Sequence, residues 1–124
     1  MKREKALKIL LVVLGLIFLA GIYPLMQRST PALGQMMLSI YVTLGVFLLL
    51  ASRNPSANRS LIAFTAWSSF AHGAVMTVQA FQNRIARVEL VGVAVMFIIG
   101  IALIVLAPAN PSMERTSESA RAVA

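Results

Sequence analysis

Charged residues divide this chain into four long apolar segments. They are confined to short clusters near residues 2–8, 28, 53–59, 84–89 and 114–121, and each stretch between two clusters carries no charge. A helix needs about 20 predominantly apolar residues to cross a hydrocarbon layer of roughly 30 Å. The pattern therefore predicts four membrane-spanning helices, over residues 6–25, 33–51, 60–82 and 88–107.

The breaks between these segments support an all-α fold. The turn-rich string "SRNPSANRS" separates the second span from the third, and "APANP" ends the fourth because proline cannot continue a helix. Short segments that alternate apolar and polar residues, as in a transmembrane β-barrel, do not occur. We predict a polytopic four-transmembrane-helix bundle over residues 1–111 and a polar, flexible cytoplasmic tail over residues 112–124.

Composition excludes an ordinary soluble domain. Hydrophobic residues make up 59% of the 124 residues and charged residues only 12%, against roughly 25% charged residues in globular proteins. A small soluble domain could not bury so much apolar surface. The net charge of +7 does not indicate nucleic acid, because the basic residues flank the apolar segments, where they can meet lipid headgroups. The expected partner is the lipid bilayer.

The distribution of basic residues predicts the orientation. With four spans both termini lie on one side, which then carries Lys2, Arg3, Lys5, Lys8, Arg53, Arg59, Arg115 and Arg121. The other side carries Arg28, Arg84 and Arg87. The positive-inside rule therefore places both termini in the cytoplasm. Span one could alternatively be a signal peptide, but it has no clear small-x-small cleavage pattern, so we favour an uncleaved span.

The single histidine lies within the uncharged third span, in "SSFAHGAVMTVQ" (residues 68–79). On a helical wheel it shares one narrow face with several other polar residues. The candidate intramembrane polar site comprises Thr65, Ser68, Ser69, His72 and Gln79. Such a stripe should face the bundle interior, because lipid offers no hydrogen bonds. It could serve as a proton relay or ligand site, or it could hold helices together by hydrogen bonds between them.

Polar residues on other spans are secondary candidates. They are Gln35, Ser39 and Tyr41 on span two and Glu89 at the start of span four. Glu89 is in line with Gly92 and Gly100, and a glycine-lined face favours close helix approach. Glu89 could therefore turn inward, towards Gln79, Asn83 or Arg84. The alternative, which we favour, is a salt bridge with Arg84 or Arg87 at the membrane interface.

Residues for enzymatic chemistry are missing. A lone histidine cannot make a zinc site, and cysteine and aspartate are both absent from the sequence. No glycine-rich phosphate loop follows a strand. We therefore predict no catalytic residues, no metal, no cofactor and no enzymatic activity.

Residues 37–84, "MLSIYVTLGVFLLLASRNPSANRSLIAFTAWSSFAHGAVMTVQAFQNR", resemble an uncharacterised family of small bacterial integral membrane proteins with four predicted spans. The most distinctive string is "WSSFAH" at residues 67–72. The resemblance implies this topology and a bacterial inner membrane, and it brings no assigned activity.

Two functional hypotheses follow. The favoured one is a non-enzymatic protein that forms a homo-oligomer or serves as an accessory subunit of a larger membrane complex, since glycines at positions 15, 45, 92 and 100 provide faces for close helix packing. The alternative is a proton-linked small-molecule transporter or a ligand-binding membrane protein that uses His72.

Overall fold

The computed structural model describes the backbone of residues 1–124 and all side chains apart from those of residues 111, 113 and 114. Every regular element in this described backbone is helical. The α-helices are α1 (Lys2–Ala20), α2 (Ile22–Met26), α3 (Ala32–Arg53), α4 (Arg59–Phe81), α5 (Leu90–Leu106) and α6 (Pro111–Val123). Short 3₁₀ turns at Pro55–Asn58 and Arg87–Glu89 precede α4 and α5.

Four helical segments are long and apolar enough to cross a membrane, at Lys2–Met26, Ala32–Arg53, Pro55–Phe81 and Arg87–Leu106. They coincide with the four predicted segments to within a few residues. The first segment is interrupted at Gly21, between α1 and α2. Pro24 explains this break, because its ring has no N–H to donate to the carbonyl of Ala20, where α1 ends.

The four long helices pack as two antiparallel hairpins. Helix α1 lies along α3 and α4 lies along α5, and each of these two contacts is far more extensive than any contact between the hairpins. The hairpins meet where α1 touches α5 and where α3 touches α4. We call the end of the bundle where α1 begins and α5 finishes the terminal end, and the opposite end the far end.

The apolar core that joins the two hairpins lies in the terminal half of the bundle. It contains Leu7, Leu11 and Leu14 from α1, Leu48 and Ala51 from α3, Ile62 and Ala66 from α4, and Leu103 from α5. Apart from Leu14, which lies past the middle of α1, these residues belong to the first part of α1 and α4 or to the last part of α3 and α5. Beyond this core, burial on α4 and α5 continues within their own hairpin, at Gly73, Ala80 and Val93.

Glycines allow close helix contacts inside each hairpin. A Cβ atom on Gly45 of α3 would lie 2.8 Å from the carbonyl oxygen of Gly15 on α1. A Cβ on Gly100 of α5 would lie 2.6 Å from the ring of Phe70 on α4, and one on Gly73 would lie 3.0 Å from the ring of Phe97 on α5.

Three of the four glycines that we expected to line oligomer faces are therefore used within the chain. Gly92 differs, because no atom lies within 4 Å of the position of its Cβ. The expectation of a glycine-mediated oligomer face consequently loses its support at Gly15, Gly45 and Gly100.

The C-terminal tail, predicted to be polar and flexible, is helical. It forms α6, which packs on no other helix within the described part of the chain. The connection to α6 is anchored at the terminal end by two arginines. Arg3 donates to the carbonyl of Ala107 at 2.8 Å, and Arg59 donates to the carbonyl of Ala109 at 2.6 Å.

Candidate intramembrane site

The structure divides the predicted polar stripe on α4 into three parts. Thr65 and Ser69 are buried near the apolar core. The hydroxyl of Thr65 donates to the carbonyl of Leu61 at 2.8 Å, and the hydroxyl of Ser69 donates to the carbonyl of Thr65 at 2.7 Å. Both groups are satisfied by their own helix, a common arrangement for hydroxyls inside helices. They do not hydrogen-bond across a helix interface.

The second part of the stripe lies halfway along the spans, where His72 meets Tyr41. The two rings contact each other edge to face, with centroids 5.9 Å apart, and link α4 to α3 across the two hairpins. Tyr41 also contacts the ring of Phe18 on α1, with centroids 5.3 Å apart. Edge-to-face geometry is the favoured arrangement of aromatic pairs and fixes how the rings are oriented.

Within the described residues, neither the imidazole of His72 nor the hydroxyl of Tyr41 takes part in a hydrogen bond. Both side chains are half-buried. Every fully enclosed side-chain nitrogen or oxygen in the described chain has a hydrogen-bond partner. Because the polar atoms of His72 and Tyr41 have none there, they must reach the surface of the chain. They are available to a group that the chain itself does not supply.

A lateral groove of about 110 Å³ opens beside this pair, between α3 and α4. We call it the Tyr41 groove; Met37, Ile40, Tyr41, Leu44, Phe64 and Ser68 line it. The hydroxyl of Ser68 donates to the carbonyl of Thr65 at 3.1 Å. The hydroxyl of Tyr41 is therefore the polar group of this apolar groove that still lacks a partner within the described residues.

The third part of the stripe is Gln79, two turns beyond His72 and roughly 10 Å along the helix axis. It lines a second, larger groove of about 380 Å³ at the far end, together with Ala74, Val75, Val78, Gln82 and Arg84. The predicted stripe is thus continuous on the helix but does not form one site, because Gln79 lines the far-end groove whereas His72 contacts Tyr41 and does not line that groove.

The secondary candidates on span two have separate roles. The Gln35 amide donates to the carbonyl of Gln27 at 3.2 Å and so ties α3 to the end of α2. Ser39 is exposed and donates to the carbonyl of Met36 on its own helix at 2.7 Å. Tyr41 is the residue of this group that comes into contact with His72.

The predicted inward orientation of Glu89 is wrong. Its side chain is exposed at the start of α5, and Gly92 on the next turn is exposed as well. Within the described residues the ion pair that forms is Glu4–Lys8, at 2.7 Å, so Glu89 does not pair with Arg84 or Arg87. Its place beside the 3₁₀ turn Arg87–Glu89 leaves it at the surface, where solvent can hydrate the carboxylate.

Ligands for a metal ion do not cluster among the described residues: no three histidine, cysteine, aspartate or glutamate side chains come together. The contact described for the His72 ring is the edge-to-face contact with Tyr41.

Sequence reasoning gave Tyr41 only a secondary place in the candidate site and assigned no role in a site to Phe18 or Arg84. The wheel of α3 places Tyr41 away from Gln35 and Ser39, which is why it did not belong to a polar stripe. One signal was present in the sequence: a tyrosine in the middle of a span needs a partner for its hydroxyl. The position of Arg84 depends on how the chain turns after α4, which helical periodicity does not describe.

These features define the class of protein: a small all-helical chain with four helices long and apolar enough to cross a membrane, and with an aromatic–histidine contact between its two hairpins. A family model described as "Family of unknown function (DUF6632)" matches residues 2–123, and the chain belongs to this family. No curated protein and no solved structure matches the chain.

Proposed function

We propose that this chain is a non-enzymatic protein of a bacterial inner membrane, with both termini in the cytoplasm, that assembles with a second polypeptide through the Tyr41 groove. The second polypeptide is another copy of the chain or a subunit of a larger membrane complex. The observation that carries the proposal is the Tyr41–His72 pair, whose polar atoms have no partner within the described residues although they lie halfway along the spans.

The physical reason is the cost of an unsatisfied polar group in lipid. Each such group costs several kcal/mol in the hydrocarbon region, where water is absent. The hydroxyls of Thr65, Ser68 and Ser69 avoid this cost by bonding to carbonyls of α4. A phenol or imidazole cannot reach its own helix backbone in the same way, so a hydroxyl, amide or carbonyl on a neighbouring helix is the natural partner.

The lining of the groove fits such a helix. Ile40 and Phe64 project from its two sides and are 64% and 60% exposed, so they offer an apolar surface on either side of the Tyr41 hydroxyl. Large apolar side chains around one polar group would give van der Waals packing together with a directional hydrogen bond. Both contribute to helix association in membranes.

The test begins with purification from native membranes in a mild detergent, followed by native mass determination and identification of co-purifying proteins. Because the chain contains no cysteine, single cysteines can then be placed at will. Ile40→Cys and Phe64→Cys probe the Tyr41 groove. Ile101→Cys, on the exposed side of α5 and 54% exposed, is the matched control.

We expect a defined oligomer or a stoichiometric foreign subunit, with crosslinks from positions 40 and 64 and none from position 101. Tyr41→Phe should weaken the assembly about five- to tenfold by removing one hydrogen bond in lipid, whereas His72→Gln should leave it intact. A monomer without a partner in native membranes, or equal crosslinking from all three positions, would overturn the proposal.

A second candidate function is supported by the accessibility of the His72 ring at mid-span: a proton-linked transporter or ligand-binding membrane protein. The apolar core of the chain closes the terminal half of the bundle, so transport would require the two hairpins to separate there. The test is proton flux into liposomes that contain the purified chain, followed with an enclosed pH-sensitive dye. Flux well above empty liposomes and lost in His72→Ala supports this function; flux undiminished in His72→Ala rules out the histidine mechanism.

A further inference from the structure

The larger groove at the far end of α4 has an apolar wall and a charged rim. Ala74, Val75 and Val78 form the wall, while Gln79, Gln82 and Arg84 supply two amides and a guanidinium towards the far end. Helix α4 ends at Phe81, seven residues after Ala74, so the helical wall of the groove is roughly 10 Å long. That length can lie along the upper part of a lipid acyl chain.

The turn after α4 places Arg84 at this rim. Asn83 has a φ of 55°, the left-handed conformation that asparagine tolerates better than most residues. The N–H of Arg84 donates to the carbonyl of Gln79 at 2.9 Å, and the N–H of Asn83 donates to the carbonyl of Ala80 at 3.1 Å. This pair of bonds is the Schellman motif, and it turns the chain back over the last turn of the helix.

The charge of Arg84 has no counterpart within the described chain. The ion pair found there joins Glu4 and Lys8 at the opposite end of the bundle. Arg84 also lies on the side of the membrane that has fewer basic residues, where the positive-inside rule disfavours it. The guanidinium of Arg84, beside two amides and above an apolar wall, is therefore free to bind an anionic group outside the chain.

We propose that this groove binds an anionic phospholipid. Its phosphate accepts hydrogen bonds from the guanidinium of Arg84 and the amide of Gln82, and one acyl chain lies along Val75 and Val78. Arginine binds phosphate through paired N–H donors in a planar fork, which makes it better suited than lysine to this contact. This inference is independent of the proposed assembly, because its residues do not line the Tyr41 groove.

The experiment measures lipid binding to the full chain in detergent micelles by native mass spectrometry. Phosphatidylglycerol is compared with zwitterionic phosphatidylcholine, and glycerol phosphate serves as the headgroup without acyl chains. Arg84→Gln is the principal variant. The matched control is Arg28→Gln, an exposed arginine that belongs to the same side of the chain and lies outside the groove.

We expect phosphatidylglycerol to bind more tightly than phosphatidylcholine, and Arg84→Gln to weaken its binding about tenfold, the loss of one charge-assisted contact. Arg28→Gln should change it less than twofold. Gln82→Ala should weaken binding by a smaller factor. Circular dichroism and gel filtration establish that each variant keeps its helical content and size.

A second pair of variants tests the apolar wall. Val78→Asn should weaken phosphatidylglycerol binding, whereas Val95→Asn, at a similarly exposed valine of α5 outside the groove, should not. Equal losses from Arg84→Gln and Arg28→Gln would overturn the proposal, since surface charge alone would then explain the binding. Glycerol phosphate binding as tightly as the lipid would also overturn it, because the site would then recognise a free anion.

Discussion

Replacing Gly45 by alanine tests the close contact between α1 and α3. The added Cβ would lie 2.8 Å from the carbonyl oxygen of Gly15 and 3.0 Å from the backbone nitrogen of Leu19. These are backbone atoms of a packed helix, so they cannot rotate away as a side chain would. The two helices must separate by a few tenths of an ångström, and the packing around the contact must loosen with them.

The magnitude follows from two opposing terms. Overpacking a well-filled contact costs about 1–3 kcal/mol, while alanine gains about 1 kcal/mol over glycine as a helix former. Because the clashing atoms are backbone, we expect the upper part of the first range and a net loss of about 1–2 kcal/mol. That loss lowers the ratio of folded to unfolded chains about 5- to 30-fold.

The assay is unfolding by sodium dodecyl sulfate in non-ionic micelles, followed by circular dichroism and by the fluorescence of Trp67, the chain's single tryptophan. Gly92→Ala is the matched control, because it adds the same methyl group where no atom lies within 4 Å. The difference between the two variants isolates the overpacking cost. If Gly45→Ala were as stable as Gly92→Ala, the close approach of α1 and α3 would be refuted.

Three further predictions concern the other hairpin, the terminal anchor and the orientation. Gly100→Ala should cost less than Gly45→Ala, about 1 kcal/mol or below, because its Cβ would lie 2.6 Å from the ring of Phe70, a side chain that can shift. Adding Phe70→Leu in the same sodium dodecyl sulfate titration should recover part of that loss, and no recovery would contradict the packing. Arg59→Gln removes the 2.6 Å hydrogen bond to the carbonyl of residue 109. Trypsin should then cleave the tail roughly two- to fivefold faster, as expected for an exposed contact of less than about 1 kcal/mol. An unchanged cleavage rate would show that this bond does not restrain the tail. If both termini lie in the cytoplasm, as we propose, an impermeant thiol reagent added to intact cells should label Ser29→Cys and not Ala124→Cys, and the reverse pattern would contradict that orientation.

The positions of the long helices could be predicted because they depend on one physical quantity, the cost of placing charge in an apolar layer. The predicted third span, 60–82, and the helix α4 (Arg59–Phe81) differ by one residue at each end. The predicted first span continues through Gly21, where the structure has a break that Pro24 alone could have indicated.

The candidate site was less predictable because a helical wheel orders residues around one helix and does not identify the neighbouring helix. It grouped His72 with Gln79, although His72 contacts Tyr41 and only Gln79 lines the far-end groove. The wheel could not show that the hydroxyls of Thr65 and Ser69 would form hydrogen bonds with backbone carbonyls of α4 itself. It also could not pair Tyr41 with His72, since that contact depends on how two hairpins meet.

The concentration of contacts within each hairpin has a consequence for how the chain folds. Because most contacts of each hairpin join neighbours along the sequence, we expect each half to be able to close as a local unit before the other half is made. The core around Leu11, Leu48 and Leu103 and the Tyr41–His72 contact are among the features that then join the halves. Two separately synthesised fragments, divided at the loop near Asn54, should therefore associate in micelles and rebuild the bundle.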